Sequence, residues 1–78
     1  MKLQEHERAV LTEDIPGEGL KAGDLGTIIH VHGDGIAYVL EFFSVEGDTV
    51  AIATAEASQV RPVERDEINH IRKMESAA

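Results

Sequence analysis

Two histidines at alternate positions, His30 and His32, are the first residues that could do chemistry, because i and i+2 on a strand put both imidazoles on one face. Zinc sites use such pairs, but two ligands do not make a site. No cysteine is present, His6 and His70 lie towards the ends of the chain, and the nearest carboxylate is Asp34 in the following turn. The other candidate donors are Glu13, Asp14, Glu18 and Asp24, four acids in one loop of the kind from which Ca²⁺ draws its six to eight oxygens. Their spacing is not that of an EF-hand loop, so the plain reading is a solvated acidic loop. Gly17-Glu18-Gly19 and Gly33-Asp34-Gly35 lack the helix and the lysine-hydroxyl pair of a phosphate cradle and read as turns. Ser44 and Ser58 have no neighbouring histidine, and no carboxylate pair is held at a defined spacing, so no catalytic residue, enzymatic activity or cofactor is expected.

These residues need a scaffold, and the scaffold is small. Seventy-eight residues can make one domain, with too little buried volume for a deep catalytic cleft. The composition, 42% apolar and 28% charged, is that of a folded chain, and without cysteine the core alone must hold it. Arg8 to Thr12 reads as a first strand, and Pro16, Gly17 and Gly19 then open a long surface loop over residues 13 to 24, pinned by Ile15 and Leu20. Leu25 to His32 alternates with a period of two, Leu25, Thr27, Ile29 and Val31 opposing Ile28, His30 and His32, and a glycine turn follows. In Ile36 to Phe43 the set Ile36, Tyr38, Leu40 and Phe42 is placed inward. Thr49 to Thr54 is a β-branched fourth strand, Ala55 to Gln59 a one-turn 3₁₀ connector, and Val60 to Val63 a closing edge strand that tolerates Pro62. The expected fold is therefore all-β, a five-stranded SH3-like barrel over residues 7–63.

Net charge is −8, and its distribution matters more than its size. Residues 13 to 56 carry nine acids and the single cation Lys21, while the rest of the chain balances six against six. A phosphate backbone is repelled by such a surface, so direct nucleic-acid binding is not expected. No run of 18 apolar residues exists, and Met1 to Arg8 has no apolar leader core, which points to a cytoplasmic protein without membrane association. A negative field favours a basic protein partner, and an exposed Phe43, with Val39 and Ile28 near it in pattern, offers an apolar anchor. Glu13, Asp14, Glu18, Asp24 and Phe43 are thus the expected partner-binding residues, on an antitoxin or immunity-like module. The alternative is a calcium- or zinc-responsive protein, and self-association through a strand edge is a third possibility.

Val10 to Pro16, Gly19-Leu20-Lys21, Gly23 to Ile28 and Glu41-Phe42 resemble the bacterial family known as domain of unknown function 4926. The resemblance implies an SH3-like fold in a short stand-alone protein and assigns no activity and no site. The chain departs from that pattern in Glu64 to Ala78, which extends past the last strand. There Glu64, Asp66 and Glu67 precede Arg72 and Lys73, and Ile68, Ile71 and Met74 recur at three-residue spacing, which predicts a short docked or frayed helix over 64–78 that could also serve a dimer.

Overall fold

The computed structural model describes residues 3–74. Five strands form one antiparallel sheet: β1 (Arg8–Leu11), β2 (Leu25–His32), β3 (Ala37–Phe43), β4 (Thr49–Glu56) and β5 (Val60–Pro62), in the spatial order β4-β3-β2-β1-β5. Consecutive strands β1 to β4 are neighbours, and β5 returns to the far side of β1, pairing Ala9 with Pro62 and Leu11 with Val60. A 3₁₀ turn at Ala57–Gln59 carries the chain from one edge of the sheet to the other. Its start is fixed reciprocally by Glu56 and Gln59, with the Glu56 N–H donating to the Gln59 side chain at 2.8 Å.

All five strands feed one core, which requires the sheet to curl. Ala9 and Leu11 of β1, Ile28 of β2, Tyr38, Leu40 and Phe42 of β3, Ala53 and Ala55 of β4 and Val60 of β5 are all buried together. Among the described residues the core contains no buried polar or charged side chain. The curled sheet nevertheless remains open. Its edges β4 and β5 share no ladder, and β5 is only three residues long and ends in Pro62, which has no N–H to donate. The expected barrel is therefore not closed by hydrogen bonds.

Two side-chain placements differ from the period-two reading. A bulge between Ile28 and His30 inserts Ile29 against β3, so that Ile28 pairs with Leu40 but His30 pairs with Val39. Ile28 goes fully into the core, where it cannot join Phe43 as a surface anchor, and Val31 turns inward while Ile29 is left exposed. Ile36 precedes β3 in the turn and is exposed, whereas Tyr38, Leu40 and Phe42 point inward as expected. Gly26 is needed for space: a Cβ there would lie 2.8 Å from the ring of Phe42.

The C-terminal segment is a correction. Residues 64–74 contain no helix, and residues 75–78 of the expected helix lie outside the described residues. The helix is too short to stand alone, and its residues find better partners when extended. Glu67 turns back so that its Oε1 accepts the Glu64 N–H at 2.6 Å, and its two carboxylate oxygens take the Arg61 guanidinium at 2.8 and 2.6 Å. Farther along, Arg72 reaches Asp24 and Met74 packs against the core. The segment is a strap laid over the outer side of the sheet.

Candidate functional site

The acidic loop between β1 and β2 is built by its own acids. A bridge between Ile15 and Leu20 closes a tight hairpin around the 3₁₀ turn Pro16–Glu18, and Gly19 ends that turn at φ 71°, a left-handed conformation that glycine adopts without strain. Leu20 is buried and Ile15 packs against the core, so both anchors read from the sequence hold the loop down. Asp14 accepts the Ala22 N–H at 2.8 Å, and Asp24 accepts the Lys21 N–H at 2.8 Å. Glu13 accepts a long hydrogen bond from the Gln59 side chain at 3.4 Å. Glu18 is exposed. Two of the four acids therefore fold the loop. Among the described residues no three His, Asp or Glu side chains converge in a way that could hold a metal ion.

Asp24 has a further partner. The Arg72 guanidinium donates to it from Nε to Oδ1 at 2.9 Å and from Nη2 to Oδ2 at 2.5 Å, and Nη2 also reaches the Gly19 carbonyl at 3.1 Å. Burial pushes the Asp24 carboxyl up, but the Arg72 hydrogen bonds, the Lys21 N–H and the two nearby cationic charges outweigh it, and the pKa ends below the ordinary carboxylate value. At the other end of the strap the Arg61 hydrogen bonds lead in holding Glu67 down to about 2, helped by the Glu64 N–H, and Arg61 is raised in return.

Between strap and sheet runs a groove with a volume of about 1030 Å³. Val10, Leu25, Phe43 and Val50 line it from the sheet, and Ile68 to Arg72 and Met74 from the strap. Asp24 stands in its wall. Phe43 is 47% exposed and lies at the mouth of the β3–β4 turn, where the Ser44 N–H donates to the Asp48 carbonyl and the Ser44 hydroxyl accepts the Asp48 N–H. Of the five expected partner-binding residues, Asp24 and Phe43 thus share one groove, while Glu13, Asp14 and Glu18 do not line it.

His30 and His32 stand on the outer face of β2, their rings edge to face with centroids 4.7 Å apart, and Glu5 approaches His30 Nδ1 at 3.9 Å. Ser44 is used in its turn and the Ser58 carbonyl accepts the Thr12 hydroxyl. Sequence reasoning missed two features. Leu3 is a core residue, and the segment after it runs beside β2, with the His6 N–H donating to the Ile28 carbonyl. Arg72 and Asp24 are 48 residues apart, and no local pattern announces such a pair.

Fold and groove together define a small, open, all-antiparallel β-domain with an acidic loop and a strapped groove lined by apolar and charged side chains. The chain belongs to the family described as domain of unknown function (DUF4926), which it matches over residues 5–62. Neither a curated protein nor a solved structure matches it. The family match ends with β5, so the strap lies beyond it. No helix among the described residues is long and apolar enough to cross a membrane.

Proposed function

We propose that the protein is an acidic, cytoplasmic protein-binding module that docks on a basic partner protein, in the way an antitoxin or immunity-like protein covers a cationic site. The observation that carries this reading is the one-sided charge of residues 13 to 56, where nine acids face one cation and seven of the nine acids are exposed. A field of one sign accelerates encounter with an oppositely charged partner and rejects acidic competitors. Affinity then needs an apolar anchor, and Phe43, 47% exposed and lining the groove, can serve as one.

The test is a salt-dependent binding measurement on the partner recovered from native lysate. The reading expects a basic protein whose affinity falls steeply between 50 and 500 mM salt, roughly the range over which screening between exposed charges becomes strong. It also expects at least about a tenfold loss when Glu13, Asp14 and Glu18 are all replaced by Lys, about 1.4 kcal/mol. Unchanged affinity in the triple variant contradicts it. So does a melting temperature that rises with Ca²⁺ or Zn²⁺ when no partner protein is present, which is the signature of the metal-responsive alternative.

A further inference from the structure

We propose that the groove between strap and sheet is the docking site for an extended, arginine-bearing segment of the partner, and that the chain's own Arg72 fills the arginine subsite at Asp24 in cis and must be displaced. The inference rests on the reading of the protein as a binding module and names the place and the ligand chemistry.

The strap itself reveals what the groove accepts. Its guanidinium takes both oxygens of Asp24 and the Gly19 carbonyl, a planar fork-to-carboxylate arrangement that a lysine cannot reproduce. Two residues on, the flexible side chain of Met74 lies against the edge of the core. The site therefore reads an arginine followed at i+2 by an unbranched apolar side chain, on a backbone that is neither helix nor strand. Beside the strap about 1030 Å³ of the groove stays open, room for a segment rather than a single side chain.

The strap is also a poor occupant. Ile68 is 91% exposed and Ile71 77% exposed, so two of its aliphatic residues bury little against the groove they line. The Asp24–Arg72 pair that holds it keeps side-chain exposures of 17% and 27%, so water and salt still reach it, though less than they reach a fully exposed pair. Its tether strengthens that hold. Nine residues separate Pro62, the end of β5, from Arg72, which gives the tail a millimolar effective concentration at the groove. A partner segment that presents the same arginine and also buries its aliphatics over Val10, Leu25 and Phe43 can outcompete it. Occupation in cis lowers the competent fraction and so raises the apparent Kd of any competitor.

The experiment uses the full chain and a fluorescein-labelled peptide of residues 68–74, Ile-Asn-His-Ile-Arg-Lys-Met, as the probe, with fluorescence anisotropy as the readout. The intact protein is expected to bind the peptide weakly, Arg72→Ala to bind it at least about tenfold more tightly, and Arg72→Ala with Asp24→Asn to lose that gain. Asparagine keeps an oxygen for the Lys21 N–H, so the loop has its hydrogen bond, and circular dichroism confirms that each variant is folded. If Asp24→Asn does not fold, a peptide with its arginine replaced by citrulline must lose the tight binding to Arg72→Ala instead. Equal affinity of intact protein and Arg72→Ala overturns the proposal, as does tight binding that survives loss of the guanidinium or carboxylate. Concentration-dependent dimerisation of the intact chain that the peptide dissolves also overturns it, because the strap would then serve a second copy. Failure of the peptide alongside a salt-sensitive partner that depends on Glu13, Asp14 and Glu18 removes this inference and leaves the functional reading standing. Failure of both removes both.

Discussion

The sheet and the strap belong to one small domain, yet they are held by opposite means. In the sheet, Leu11, Ile28 and Leu40 are fully buried, and no charged side chain of the described residues lies among them. In the strap, Ile68 and Ile71 are exposed and the anchors are two arginine-carboxylate pairs, Arg61–Glu67 and Arg72–Asp24, with Met74 the apolar contribution. Burial gives the sheet stability that hardly varies with pH or salt. Charge pairing near water gives the strap a hold that both conditions can release. A segment built to be displaced requires this second kind of attachment.

The largest effect that sharpens the comparison is in the core. Leu40→Ala should cost about 2–5 kcal/mol in urea unfolding, a large part of what a domain of this size possesses. A cost below about 1 kcal/mol would mean the sheet is not the stable half. Next is Gly26→Ala, whose new methyl group meets the Phe42 ring at 2.8 Å and should cost about 1–3 kcal/mol. Phe42→Leu in the same chain should relieve part of that cost, and strict additivity of the two changes would place the ring elsewhere.

Smaller effects belong to the strap. Arg72→Ala should change global stability by at most about 1 kcal/mol, yet raise amide exchange in residues 64–74 while leaving β2 and β3 protected. Loss of protection across the sheet would make the strap part of the core. Acid should act similarly. The Asp24 and Glu67 carboxyls titrate below their ordinary values of 3.8 and 4.5, Glu67 at about 2, so their contributions are complete above about pH 5. Both contributions fade as the pH falls through the ordinary values towards 2. The strap should therefore loosen between about pH 5 and 2, before the uncharged core responds, and release on raising the pH instead would reverse the sign of the linkage.

The sheet was legible in the sequence because strands written in alternation and bounded by glycine and proline declare themselves locally. Leu25–His32 runs between the limits its pattern sets, and Ile15 and Leu20 anchor the first loop because an apolar residue in a polar loop has few other uses. The bulge at Ile29 was not legible, since an extra residue in a ladder is decided by the partner strand. The open edge depends on the lack of pairing between β4 and β5, which no single segment records. The strap was misread as a helix because Ile68, Ile71 and Met74 do carry a three-residue period, while the contact that decides the matter, Asp24 with Arg72, spans 48 residues. Phe43 and Asp24 were each recognised singly, and their meeting in one groove needed the fold.

The most direct measurement is a salt titration of the full chain followed by two-dimensional amide NMR. Between about 50 mM and 1 M NaCl the resonances of residues 64–74 should shift together with those of Val10, Leu25 and Phe43, while Ile28, Leu40 and Ala53 stay where they are. Strap resonances unmoved by salt, or a shift of the whole sheet along with them, would contradict it.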